Sequence, residues 1–348
     1  MINFWKNKRV LITGHTGFKG TWLTLLLIKL GANVYGYSND RSNFINNYKI
    51  NFPYKINEKI DNILNLKSLK SYLIKSDPDI IIHMAAQPLV SLSFYRPKET
   101  IEVNTLGTLN ILETASEIKS LKSLIIVTTD KVYENKSKNF IETDSLGGSD
   151  PYSASKAAAE IITNSYKSIY NFRNKKIGLA TVRAGNVIGG GDWSIDRLIP
   201  DIMKHKFGGQ ELKIRNKNFT RPWQHVLDPL FGYILLAKML YKNPIKYSSA
   251  WNFGPNHNNK SVSAVVNHYF DIKINNNETN KSKIIESKTL NLNSSKAKKI
   301  LKWKPEYGFK KSLDITYAWY NKFHTNHKEI YIFTLMQISD FLLRKKIK

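Results

Sequence analysis

Residues 10 to 20 read Val-Leu-Ile-Thr-Gly-His-Thr-Gly-Phe-Lys-Gly, an apolar strand running into glycines at 14, 17 and 20 and then into a helical stretch. A strand that turns into a helix over three glycines brings its backbone close to whatever lies at the helix N-terminus, and a dinucleotide pyrophosphate is held there. The expectation is an α/β chain opening on a strand–turn–helix unit. Gly14, His15, Thr16, Gly17, Phe18, Lys19 and Gly20 form its cofactor turn. The glycines are spaced three and three, unlike the G-x-G-x-x-G of many dehydrogenases, so a tight turn without a ligand remains open on this motif alone.

A second motif narrows the reading. Residues 152 to 156 are Tyr-Ser-Ala-Ser-Lys, which puts a phenol and an ammonium on one face of a helix. A nearby cation favours phenolate and lowers a tyrosine pKa from its usual value of about 10. A dinucleotide beside an activated tyrosine points to hydride chemistry at a carbinol carbon. Tyr152 and Lys156 are therefore expected to be catalytic and to touch the cofactor.

Composition excludes other classes. The chain has 348 residues and no cysteine, so disulfides, thiolate metal sites and a cysteine nucleophile are out, and no metal is expected. No run approaches the roughly 18 apolar residues of a membrane span, and no secretory leader is read, so a cytoplasmic protein is expected. The net charge of +26 raises nucleic acid or acidic membrane as partners. Lysines, however, are spread along the whole chain, and only Arg344–Lys348 is a basic cluster. No nucleic-acid or membrane partner is expected. The positive field suits a polyanionic nucleotide substrate instead.

Strands are read at Lys8–Thr13, Asn33–Tyr37, Ile80–His83, Leu124–Thr128 and Ile177–Arg183. Helices are read at Thr21–Leu30, Leu66–Lys75, Ile101–Ser116 and Ala154–Tyr170. Alternation of this kind implies a Rossmann-type, doubly wound parallel sheet, with ligands at the strand carboxyl ends. Residues 38 to 60 read as irregular. After residue 184 the pattern loosens, with helices at Asp228–Tyr241, Ser294–Leu301 and Lys311–Phe323 and a short strand at Trp251–Phe253. Lys273–Lys283 is asparagine- and lysine-rich and reads as a surface loop. Residues 1–183 are expected to be the NAD(P)-binding domain. Residues 184–348 are expected to be a smaller substrate-binding cap with segments returning to the first domain.

Other residues fall near the expected ligand edge. Asp40 stands where an acid would meet the ribose hydroxyls, whereas Arg41, Lys19 and His15 could meet a 2′-phosphate, which leaves NAD and NADP both open at this point. Asp61 is placed at the adenine. Ala85, Ala86 and Gln87 follow a buried strand and would pass close under a cofactor. His83 reads as a satisfied core histidine. Asn104, inside an apolar helical segment, needs a partner and would orient backbone or water near the lysine. Thr129, Asp130 and Lys131 end a strand and bring a hydroxyl, a carboxyl and an ammonium together.

With these residues in view, the chain resembles the extended short-chain dehydrogenase/reductase superfamily over about residues 5 to 340. Within it, the chain is most similar to CDP-glucose 4,6-dehydratases. The marks are Gly14–Gly20, Ala85–Val90, Thr129–Asn135, Leu146-Gly147-Gly148 before Asp150-Pro151-Tyr152, Ala184–Trp193 and Arg221-Pro222-Trp223-Gln224-His225. Lys131 stands where related dehydratases usually carry glutamate. The resemblance implies catalytic NAD rather than NADP, a nucleotide-sugar substrate and a homodimer formed through two helices. It also implies roles. Tyr152 would take the proton of the sugar 4-hydroxyl, Lys156 would lower the tyrosine pKa, and Thr129 would bond the 4-oxygen. Asp130 would protonate the departing 6-hydroxyl, and a base near Lys131 would remove the proton at carbon 5. Asn186 and Arg221 would meet the pyrophosphate, Leu198 and Ile199 the base, and His225 belongs to the same substrate-binding group. Two enzymatic alternatives share the fold, a 4-epimerase and a dehydratase for another nucleotide sugar. A non-catalytic cofactor sensor is the third reading.

Overall fold

The computed structural model describes residues 1–40, 56–134, 139–214, 216–256, 259–270 and 291–347. Seven strands form the central sheet: Arg9–Thr13 (β1), Asn33–Ser38 (β2), Asn57–Ile60 (β3), Ile80–His83 (β4), Ser123–Val127 (β5), Gly178–Ala184 (β6) and Ala250–Phe253 (β7). Their order is β3-β2-β1-β4-β5-β6-β7, and every pair is parallel. The winding reverses between β1 and β4, which opens a crevice at the carboxyl ends of these two strands. Residues Ile80–His83, Ser123–Val127 and Gly178–Ala184 are buried throughout. They show no alternation because helices cover both faces of the sheet.

On one face, Phe18–Lys29 (α1) packs with later parts of the chain. The other face carries Leu66–Ser76 (α2), Gly107–Ala115 (α3) and Pro151–Phe172 (α4). The sequence reading of these elements holds to within a few residues, with three departures. Residues 57–60, read as irregular, form the edge strand β3. Its side chains are only half-buried, so it carries no hydrophobic signal and is held by backbone pairing to β2. The helix read at 101–116 is broken. Pro97–Ile101 is followed by a π-helical turn at Glu102–Leu106 and then by α3. The helix read from Ala154 begins at Pro151, because Asp150 accepts the Ser153 N–H at 2.9 Å and proline occupies the first helical position. Tyr152 is therefore in the first turn of α4.

The second half of the chain is woven into the first. β7 extends the main sheet, and Trp303, Trp319 and Phe341 share one core with Val10 and Ile12 of β1. The Trp22 Nε1–H donates to the Gly190 carbonyl at 2.9 Å across this junction. Of the helices Leu198–Gly208 (α5), Leu227–Lys242 (α6), Val262–Tyr269 (α7), Phe309–Thr325 (α8) and Ile330–Arg344 (α9), α6 packs on β5 and β6, α8 packs with α5, α7 and α9, and α9 also packs with α1. Three of these, α5, α7 and α9, are absent from the sequence reading. Arg41, Asn135 and the Lys273–Lys283 loop lie outside the described residues.

Candidate active site

The glycine turn forms as a close-packed knuckle. Gly14 has φ +71°, and a Cβ there would stand 2.9 Å from the Ala85 nitrogen. At Gly20 a Cβ would meet the Gly14 oxygen at 2.0 Å. Both positions accept only glycine, and they press the start of α1 against β1 and β4. α1 begins at Phe18 without a side-chain cap, so its first-turn N–H groups face the crevice as anion donors. The Thr13 hydroxyl accepts the N–H groups of Met84 and Ala85, each at 3.1 Å, and fixes the small-residue stretch beside the turn. This is a surface that a dinucleotide fits.

Several residues read as cofactor contacts act from behind that surface. Gln87 spends its side chain on Leu89 and Thr100. Asn104 accepts the Gln87 N–H at 2.8 Å and donates to the Gln87 carbonyl and to the Ser155 hydroxyl. It orients backbone next to Lys156, and both of its amide N–H donors are used. His15 is buried against Gly36, with its ring nitrogens on Ser38 at 2.8 Å and Glu58 at 2.9 Å, which corrects its reading as a phosphate ligand. Asp61 lies just past β3, and its carboxylate binds Asn62 and Asn65 ahead of α2. The Thr16 hydroxyl donates to the Asp40 carbonyl at 2.6 Å. His83 is the satisfied core histidine expected. It is bonded to Thr13 and Thr108, and burial, then the Lys156 charge, push it down to about 3.

The chemistry-bearing residues converge in one pocket. Thr129, Asp130, Lys131 and Tyr152 line it together with Lys19, Asn186, Arg197, Leu198, Ile199 and Arg221. Thr129 caps a single turn of 3-10 helix that carries Asp130 and Lys131. Asp130 is buried. Its Oδ1 accepts from Thr129 at 3.1 Å and Lys131 at 3.3 Å, while Oδ2 has no hydrogen-bond partner. The Asn186 side-chain oxygen is also buried and unpaired. Arg221 donates to the Thr220 carbonyl at 3.0 Å and lies over the Phe219 ring. His225 is placed elsewhere. It is fully buried behind the pocket, edge-on to Trp22 and Tyr307, and burial pushes it down to about 3. It is a core residue, not a substrate contact.

Electrostatics correct the expectation for Tyr152. Its pKa is raised, because burial outweighs the opposing effects of Lys131 and the Thr129 hydrogen bond. Lys156 points at the Val127 carbonyl, 3.1 Å away, and burial, then Lys19, lower it to about 7. Lys19 itself is lowered to about 8 by burial and Arg197. It faces Asp130 and Lys131 in the pocket and not a 2′-phosphate site. Arg197, paired to Asp192 at 2.8 Å, was missed in the sequence. Its only signal there is proximity to the Gly189–Trp193 loop.

A family model described as GDP-mannose 4,6 dehydratase matches residues 11–316. The chain belongs to this family. It is 39% identical over 351 residues to a CDP-glucose 4,6-dehydratase of Salmonella typhimurium, covering 98% of both chains. A human dTDP-D-glucose 4,6-dehydratase is 27% identical, with 93% of each chain covered. Among solved structures, a Bacillus anthracis dTDP-glucose 4,6-dehydratase in complex with NAD superposes with TM-score 0.74 at 24% identity, over 90% of this chain and 97% of that one. A Thermotoga maritima UDP-glucose 4-epimerase superposes with TM-score 0.78 at 20% identity, over 90% and 99%. At such identities the two structures speak for the fold, which is the doubly wound α/β architecture described above.

Proposed function

We propose that this chain is a CDP-glucose 4,6-dehydratase that works with catalytic NAD. The observation that carries the reading is the Thr129-Asp130-Lys131 turn facing Tyr152 in one pocket, in a chain so similar over its whole length to an enzyme of that activity. NAD, when bound along the glycine turn, supplies a hydride acceptor for carbon 4 of the glucose and a donor for carbon 6. Residues 1–183 provide that cofactor surface, and residues 184–348 supply most of the substrate contacts.

Tyr152 accepts the proton of the 4-hydroxyl, and Thr129 bonds the same oxygen. Lys131 and the Thr129 hydrogen bond favour the phenolate that burial opposes. Once carbon 4 is a ketone, the proton on carbon 5 becomes acidic. A base near Lys131 then removes it. Asp130, with its Oδ2 unpaired, protonates the departing 6-hydroxyl. Arg221 holds the pyrophosphate, since a guanidinium forks onto phosphate oxygens. The unpaired Asn186 oxygen takes a substrate hydroxyl, and Leu198 and Ile199 pack on the base.

A 4-epimerase needs the tyrosine but no acid at carbon 6, and the buried Asp130 favours dehydration. Among the described residues no helix is long and apolar enough to cross a membrane. The reading places the enzyme in the cytoplasm, supplying a 6-deoxy sugar for lipopolysaccharide O-antigen. Exposed Phe94, Tyr95, Ile101, Leu106 and Ile161 lie along the helices around α4 and support a homodimer through that face. Light scattering should give twice the monomer mass.

The deciding experiment incubates the protein and NAD with CDP-, dTDP-, UDP- and GDP-glucose. A 4-keto-6-deoxy product from CDP-glucose is expected, with no build-up of reduced nicotinamide absorbance. Stoichiometric NADH would mark an ordinary dehydrogenase. Preferential use of dTDP-glucose would move the chain to a sister activity.

A further inference from the structure

One turn beyond Lys156 on α4, Glu160 is buried and is met by four hydrogen bonds. The Thr128 hydroxyl donates at 2.5 Å and the Thr181 hydroxyl at 2.6 Å, while Arg183 donates through Nε at 2.8 Å and Nη2 at 2.9 Å. Arg183 is buried as well, and its Nη1 continues to the Tyr133 hydroxyl at 2.8 Å, which in turn donates to Asn252 at 2.7 Å. The proposed chemistry uses none of these groups. Their placement is the informative part. Thr128 immediately precedes Thr129-Asp130-Lys131, and Tyr133 follows that turn by two residues. Glu160 is on the helix that carries Tyr152 and Lys156. One carboxylate thus joins the two halves of the reactive centre and is bolted to β6 by Arg183.

We propose that Glu160, held by Arg183, is a positioning residue for the dehydration: it fixes the Thr129–Lys131 turn against the tyrosine helix and keeps a buried negative charge beside Lys156. The assignment to dehydration rests on the function proposed above. Packing alone does not explain the cluster. A buried ion pair contributes little net stability compared with apolar residues of the same shape, because both charges lose water. A fully bonded carboxylate does hold three elements in one register. A misplacement of about 1 Å between reacting groups can cost on the order of a hundredfold in rate.

The charge has a direction as well. Lys156 is faced by Lys19 from α1, by neutral His83 from β4, by the Val127 carbonyl from β5 and by Tyr152 and Glu160 of its own helix. Burial and then Lys19 lower its pKa, and Glu160 is the anion that raises it. Removing the Glu160 charge leaves Arg183 as one more cation nearby. Lys156 then loses its proton at lower pH.

The test uses two variants and a control. Thr128→Val keeps the side-chain shape and deletes the hydroxyl's bonds to Glu160 and to the Val182 carbonyl. It should lower kcat about tenfold or more with KM nearly unchanged. In the ligand-free protein it should also speed amide hydrogen exchange across residues 128–134. Thr163→Val, on the same helix and bonded only to the Ala159 carbonyl, should change neither. Glu160→Gln should move the alkaline limb of carbon 4 oxidation to lower pH. Should Glu160→Gln not fold, Thr128→Val decides. Unchanged kcat and unchanged exchange in Thr128→Val, or a Glu160→Gln limb at the wild-type pH, would overturn the proposal. If the wild-type protein converts no nucleotide sugar, the functional reading fails, while the exchange measurement still judges the positioning.

Discussion

A phenol and an ammonium four residues apart can be read from the sequence, but the energetic balance between them cannot. Spacing places Tyr152 and Lys156 on one helix face, and the structure does so. Their protonation depends on what buries them. Tyr152 is pushed up by burial, with Lys131 and Arg197 as the cations opposing it, and Lys156 is drawn down to about 7. Lys19 is visible in the glycine turn, but only the fold brings it, and Arg197 from a distant part of the chain, beside Asp130 and Lys131. Glu160 was closer to view, one turn after Lys156, yet only the fold shows that Arg183 and Thr128 meet it. At this scale the sharpest test is Asp130→Asn. The amide keeps the shape and loses the acid. Carbon 4 should still be oxidised, water loss should slow by about 10²–10⁴-fold, and reduced cofactor should accumulate on the enzyme. Stopped-flow absorbance during a single turnover reads this, and a normal rate of dehydration would move the acid elsewhere.

Elements that carry a periodic apolar stripe or a glycine turn were legible, and those defined by partners were not. β4 was placed at Ile80–His83 from its apolar run alone. β3 was missed because an edge strand needs only backbone pairing, whereas α7, capped by Ser261, and α9 do carry an apolar face that the sequence reading passed over. The Gly147-Gly148 turn shows how an element sets a site. A Cβ at Gly148 would stand 2.4 Å from the Ala154 nitrogen in the first turn of α4. Gly148→Ala must therefore push the turn and the N-terminus of α4 apart, carrying Tyr152 away from Thr129. The expected outcome is a loss of kcat of at least about tenfold with the fold retained, checked by kinetics alongside circular dichroism. Wild-type kcat would mean that the turn yields instead of the helix.

The whole molecule carries +26, and the charge reads differently at this scale than in any motif. Lysine is spread over all surfaces, which argues against a dedicated nucleic-acid face. The pocket adds its own cations, with Lys19, Lys131, Arg197, Lys213 and Arg221 lining it against Asp130, Asp192, Asp196 and Asp201. A nucleotide sugar brings a pyrophosphate bearing two negative charges into that field. Attraction between exposed charges fades beyond a Debye length of about 10 Å at 0.1 M salt and about 30 Å at 0.01 M. Raising salt from low to physiological levels should therefore raise the KM for the nucleotide sugar several-fold, since encounter and binding both draw on the long-range field. kcat should hold nearly constant, because the proton transfers proposed above involve Tyr152 and Asp130, which are buried. Initial rates at fixed pH across a sodium chloride series separate the two parameters. A flat KM would assign the charge to the surface alone, and a falling kcat would mean that ions reach the reactive end of the crevice.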